Sequence, residues 1–214
     1  MNIHSVTTTT ITPAPAAGKR EAILAAALDL FAERTFEGTP VPLIAEHAGV
    51  AAGTIYRYFD GKEALVNALY RRWKGVLRDE LASAMAAGAT HEERFRMMWR
   101  GLCAFATEHP AALAFLETQH HEAYLDEESR ALASAIDAAV TEYVRTAQAD
   151  GAMREGPPEM LLALTFGAFV GFVKQARAAG QGIDASAASA SGDVMWSALQ
   201  PDDSRTASKR KESR

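Results

Sequence analysis

Apolar residues recur at helical spacing through most of this chain. Ile23, Leu24, Ala27, Leu28 and Phe31 fall on one face of a helix over about 19–34. Thr39 followed by Pro40 reads as an N-cap and first-turn proline opening a second helix, which Gly49 ends. A short third helix covers about 52–58. Asp60-Gly61-Lys62-Glu63 has the form of a capping box and opens a long fourth helix that stops near Gly88. Thr90-His91-Glu92-Glu93 is a second such box, opening a fifth helix over about 91–108, and Pro110 starts a sixth. Asp126 is placed to cap a seventh over about 127–149, stopped by Gly151. Gly156-Pro157 precedes an eighth, ending near Gly180. Asp184 or Ser186 opens a ninth, running to Leu199 before Pro201. No stretch alternates as a strand would, so the pattern predicts an all-α fold of about nine helices.

Composition narrows the picture. A chain of 214 residues, 48 % hydrophobic, fits one large domain or two small ones with a real core. Alanine dominates, which favours helix. Residues 1–17 and 201–214 lack periodicity and read as a disordered arm and tail; Lys209-Arg210-Lys211 in the tail reads as solvated rather than as a nucleic-acid contact. The longest uninterrupted apolar run falls short of the roughly 20 residues of a membrane span. No charged segment leads into an apolar one as in a secretory signal. Cys103 is the lone cysteine, so no intrachain disulfide is available. These features lead us to expect a cytoplasmic protein without a membrane partner.

Residues 44–58 read IAEHAGVAAGTIYRY. In a helix-turn-helix the second helix crosses the first closely, so a small residue must stand at the crossing; Ala45 does. The turn needs a left-handed residue, and Gly49 follows four positions later. Val50 would bury the turn and Ile55 would anchor the second helix. That leaves Thr54, Tyr56, Arg57 and Tyr58 on its outer face. The net charge of −5 opposes nucleic-acid binding, but residues 19–74 hold eight Lys/Arg and seven Asp/Glu. Binding would then rest on a few placed side chains and on helix N-termini rather than on a basic surface.

The stretch 20–65 resembles the DNA-binding domain of the TetR/AcrR family. The resemblance is carried by REAILAAALDLF and TPVPLIAEHAGVAAGTIYRYFDGKEAL, above all by Gly-Thr-Ile-Tyr-x-Tyr-Phe-x-x-Lys-Glu. It implies a helix-turn-helix domain over 18–66 and a helical effector-binding and dimerisation domain over 67–200. It further implies that Thr39, Thr54, Tyr56, Tyr58 and Lys62 contact phosphates, that Gly53 lets the backbone approach DNA, and that Ala52 and Arg57 meet bases. The chain departs from the family pattern at Thr35, where glycine is usual, at Ala51, where Ser or Thr caps the third helix, and at Pro40, Pro42 and Leu43.

The remaining two-thirds carries no matching motif. Phe95, Met98, Trp99, Leu102 and Phe105 share one broad face of the fifth helix. With Leu116, His120, Phe166 and Phe169 they form the expected lining of an effector pocket, with plain core as the alternative for any one of them. The eighth helix is apolar all round (MLLALTFGAFVGFV, 160–173), so it must be covered on more than one side. Ala163, Gly167 and Gly171 recur every four residues. With Ala187, Ala190, Val194 and Ala198 of the ninth helix they are the expected homodimer interface, as the family resemblance also implies. His109, His120 and His121 with Glu117, Glu122 and Asp126 make a polar cluster, but the spacing does not suit a metal, and no cofactor is expected. Cys103 is expected to be a small buried hydrophobe. The partners expected are a palindromic double-stranded operator, a small hydrophobic or amphipathic effector and a second copy of the chain. A helical enzyme or carrier is the rival class; it leaves the 44–63 string unexplained.

Overall fold

The computed structural model describes residues 16–34, 36–118 and 123–201. Among them are nine helices and no strand: α1 (Ala16–Glu33), α2 (Val41–His47), α3 (Ala52–Ile55), α4 (Lys62–Ala87), α5 (His91–Glu108), α6 (Pro110–Thr118), α7 (Glu127–Ala149), α8 (Pro158–Ala178) and α9 (Ala185–Leu199). They fall into two compact units. Of the described residues, one comprises those through Tyr70 together with those within Ala114–Leu125, the other Arg71–Leu113 and those from Asp126 onward.

Helix ends follow side-chain chemistry. Thr90 accepts from the Glu93 N–H at 3.1 Å while the Glu93 carboxylate accepts from the Thr90 N–H at 3.2 Å, a complete capping box. Asp126 caps α7 by accepting from the Ser129 N–H, and Asp184 caps α9 by accepting from the Ala187 N–H. Gly49 has φ 64°; its N–H bonds to Glu46 O and that of Val50 to Ala45 O. This paired closure satisfies the last carbonyls of α2 and needs the left-handed glycine. Gly151 and Gly180 end α7 and α8 in the same way.

Two starts differ from the expectation. Thr39 is not the cap of α2: Pro40 stands there, and Thr39 is fully buried. At α4 the Gly61 carbonyl accepts from the Leu65 N–H, so Gly61 rather than Asp60 holds the N-cap position. Gly88 serves close approach rather than a turn. A Cβ there would meet the Arg94 backbone nitrogen at 2.6 Å.

In the first unit α1 packs on α2 and α2 on α3. Ile23, Phe31, Ile44, Ala45, Ile55, Leu65 and Phe115 are buried. Burying a side chain such as Ile55 stabilises by about 1.5–3 kcal/mol. In the second unit α5 runs along α9, and α7 packs on α8. Gly192 permits the α5–α9 approach: a Cβ there would lie 3.0 Å from Trp99 Cδ1. The Trp99 indole N–H donates to Ser191 Oγ at 2.9 Å.

By length and apolar composition α8 meets the criterion for a membrane-crossing helix, although its uninterrupted apolar run is short. In the structure Leu161, Phe169 and Val173 of α8 are buried within the second unit, while Met160, Leu164 and Phe166 are exposed.

Candidate nucleic-acid interface and effector cavity

The turn closed by Gly49 delivers the chain into α3, a single α-helical turn. Three-residue bonds continue it, Arg57 N–H to Thr54 O and Tyr58 N–H to Ile55 O. The helix expected over 52–58 is therefore α-helical only to Ile55. Ile55 points into the core, so the opposite side carries the functional groups. Ala52, Gly53, Tyr56 and Arg57 are exposed, Tyr56 to 60 %. Thr54 and Tyr58 are half-buried. Around Gly53 a Cβ would meet nothing within 4 Å, so its backbone is open to a close neighbour.

Two expected phosphate contacts lie elsewhere. The buried Thr39 side chain presents no surface to DNA. Lys62 turns inward: its ammonium donates to the Phe36 carbonyl at 2.5 Å and lies 3.9 Å from the centre of the Phe36 ring. On its other side Phe36 stacks on Tyr124 at 3.9 Å between ring centres. The Tyr124 hydroxyl donates to Glu37, which holds that carboxyl below its usual range. Lys62 is thus a brace for the α1–α2 connection.

The second unit contains a cavity of about 500 Å³. Its lining is apolar for the most part and drawn from α4, α5, α7 and α8, with Met153 of the α7–α8 connection and Leu199 at the end of α9. Phe95, Met98, Trp99, Leu102, Phe166 and Phe169 line it as expected. The α7 side chains Ile136, Val140 and Val144, and Leu77 and Leu81 of α4, also line it and were not foreseen. Each belongs to an amphipathic helix, and periodicity does not separate a residue facing a cavity from one facing a core. Lys74 lies among these walls. Burial pushes its ammonium below the usual lysine range, against the pull of Asp137, which also lines the cavity.

Several expected positions are corrected. Phe105 is buried against Trp73 and His109, not in the cavity. Leu116 belongs to the first unit. Ala163, expected at the dimer interface, is exposed and also borders the cavity, so that expectation stands alongside the lining role. His120 lies outside the described residues, as do His121, Glu122 and Thr35. The rest of the expected polar cluster is dispersed: His109 packs on Trp73, and Asp126 caps α7 and pairs with Arg71 at 2.6 Å. Among the described residues no group of three or more His, Cys, Asp or Glu is placed to hold a metal. Cys103 is buried, and burial raises its thiol to about 11, so it stays protonated at neutral pH.

On α8 and α9 the apolar outer faces are uncovered. Gly167 and Gly171 have nothing within 4 Å of a Cβ position. Leu164 and Val194 are 60 % and 72 % exposed. Ala190 and Ala198 are exposed as well, and Ala187 is half-buried.

Residues 23–69 match the family model of bacterial regulatory proteins, tetR family, and residues 74–200 match the tetracyclin repressor-like C-terminal domain. The chain belongs to the tetR family. The HTH-type transcriptional repressor KstR2 of Rhodococcus jostii is 37 % identical over 92 residues, which cover 38 % of this chain and 45 % of KstR2. The match thus spans less than half of that relative. A tetR family transcription regulator from Shewanella sp. PV-4 superposes with a TM-score of 0.70 at 26 % identity, over 85 % of this chain and 97 % of the other. FadR of Bacillus subtilis, solved with stearoyl-CoA, shares the fold at 20 % identity with a TM-score of 0.63, over 83 % and 96 % of the two chains. The first tetR family match ends at 69, where the first unit's N-terminal stretch ends at Tyr70, while Ala114–Leu125 of that unit falls within the second match.

Proposed function

We propose that this tetR-family protein is a homodimeric repressor, cytoplasmic and without catalytic activity, that leaves a palindromic operator when a hydrophobic or amphipathic effector fills the cavity of the second unit. The observation that carries the reading is that cavity, about 500 Å³ and walled by aromatic and aliphatic side chains. It falls inside the range of about 300–1,000 Å³ that small-molecule sites occupy. The stearoyl-CoA held by B. subtilis FadR supports an effector with an extended apolar part.

Each protomer presents Tyr56, Arg57, Thr54 and Tyr58, with Ala52 and Gly53 at the point of closest approach. Tyrosine and threonine hydroxyls donate to phosphates, and Arg57 is the side chain suited to a guanine edge. A single such face binds weakly. Two faces held about one DNA turn apart gain an effective-concentration factor on the order of 10² to 10⁴. An effector that favours another spacing of the two faces opposes the operator, and by linkage the operator opposes the effector to the same degree.

That reciprocity is the test. Compounds that raise the thermal midpoint of the protein are selected first and then titrated into the protein–operator complex. At least one stabilising compound should weaken operator binding, and excess operator should weaken that compound's binding by the same factor. Stabilising compounds that all leave operator affinity unchanged would remove the effector-release mechanism.

A further inference from the structure

The cavity of the second unit has three charged residues in its lining, Lys74 on α4, Asp137 on α7 and Glu159 on α8. They are not equivalent. Asp137 and Glu159 are exposed, and Glu159 lies 3.6 Å from the exposed Arg145, so water screens both acids at the edge of the cavity. Lys74 is half-buried and begins a row, Lys74–Leu77–Leu81, that α4 turns toward the cavity. Loss of hydration is the largest influence on its ammonium and outweighs the pull of Asp137. Most other hydrogen-bonding groups of the walls are committed within the fold. The Tyr143 hydroxyl donates to His91 O, the Thr165 hydroxyl to Leu161 O, and the Trp99 indole N–H to Ser191 Oγ. Thr141, one turn beyond Asp137 on α7, is half-buried and also lines the cavity.

We propose that this cavity takes a singly charged amphiphilic carboxylic acid, as the free acid rather than its coenzyme A thioester, with the carboxylate held by Lys74 and the apolar body among Phe95, Met98, Trp99 and Phe169. The inference deepens the effector reading above and rests on it. A poorly hydrated ammonium gains most from an anion, because a charge-assisted bond restores what burial removed. An ammonium has three N–H donors, so it can hold a ligand carboxylate beside the partners it has in the fold. A cationic head would meet that same ammonium, with only screened acids to favour it. A neutral head offers it a weaker bond. A dianion such as a phosphate monoester would bring a second negative charge toward Asp137, with no second cation among the described residues of the lining. The thioester is disfavoured twice. It presents a neutral carbonyl where the free acid presents a charge, and the phosphates of its coenzyme A would pass the acids Asp137 and Glu159 at the edge.

Decanoate, decanol, decyltrimethylammonium and decanoyl-coenzyme A share one chain type and differ in the head. Calorimetric titration of the full-length protein with each therefore isolates the head-group preference. Decanoate should bind at least about tenfold tighter than each of the other three. Lys74→Met should remove that preference, bringing decanoate to the level of decanol, and Lys74→Arg should restore it. Circular dichroism checks that the variants fold, and the ranking in the wild-type protein decides the matter even where one does not. Equal affinities, tighter binding of the cation or the thioester, no binding of decanoate, or a decanoate affinity unchanged in folded Lys74→Met would each overturn the acid site. Repeating the titrations with an operator fragment from the DNA flanking its own gene separates this from effector release. Decanoate that binds through Lys74 yet leaves operator affinity unchanged supports the acid site and removes effector release. Release by decanol or the cation, with no advantage for decanoate, keeps effector release and overturns the acid site.

Discussion

The Lys62 ammonium is 2.5 Å from the Phe36 carbonyl oxygen, so its charge is already used within the first unit. A hydrogen bond from a charged group contributes about 1.5–3 kcal/mol, and this one, only partly buried, falls toward the lower end. Lys62→Met should lower the thermal midpoint and weaken the operator complex. The slope of log affinity against log salt should stay unchanged, because no phosphate contact is lost; a slope smaller by about one would return Lys62 to the phosphate. Arg57, exposed beyond the end of α3, is assigned the opposite signature. Arg57→Ala should relax the preference at one base position in each half-site, at about 1–3 kcal/mol per contact, and a selected-site profile that does not change would remove it from the base-reading set. The inward turn of Lys62 was not legible in the sequence. Its position beside Glu63 fits a first-turn cation awaiting an anion equally well, and the carbonyl it finds is 26 residues earlier in the chain.

At the scale of the helix, most boundaries were legible because they are set by neighbours in sequence. Thr90 with Glu93, Asp126 and Asp184 name the starts of α5, α7 and α9, and Gly49, Gly151 and Gly180 name three ends. Asp126 also supplies a pH signature. Burial works against its ionisation, but the Arg71 guanidinium and the Ser129 N–H and hydroxyl hold the carboxyl down at about 2. An unfolded aspartate titrates near about 3.9. The stabilisation from Asp126 is therefore complete above about pH 4 and drains away as the pH falls toward 2. Asp126→Ala should cost about 1 kcal/mol at pH 7 through loss of the α7 cap. The gap in thermal midpoint between wild type and variant should narrow between pH 5 and pH 2.5; a constant gap would contradict the assignment. The cavity walls were only half legible. Leu77, Leu81, Ile136 and Val140 carry the same apolar stripe as any core residue, and which stripe borders empty space depends on how four helices meet.

For the whole molecule the account requires two copies. Gly167 tests the contact cleanly, since a Cβ there meets nothing within 4 Å inside one chain and leucine improves helix propensity. Gly167→Leu should leave the protomer folded but overpack the interface by about 1–3 kcal/mol per copy, felt twice across the two-fold. Sedimentation should show more monomer, and operator affinity should fall at least about tenfold. An unchanged dimer would withdraw Gly167 from the interface. With a net charge of −5, sequence-independent attraction to DNA is weak, so specific binding must come from paired faces on paired half-sites. Nuclease footprinting of the purified protein on the DNA flanking its own gene measures this most directly. The account predicts two protected half-sites related by a dyad, their centres about one helical turn or a little more apart, occupied together at a single protein concentration at about 150 mM salt. Protection without sequence preference, or of one isolated half-site at full occupancy, would contradict it.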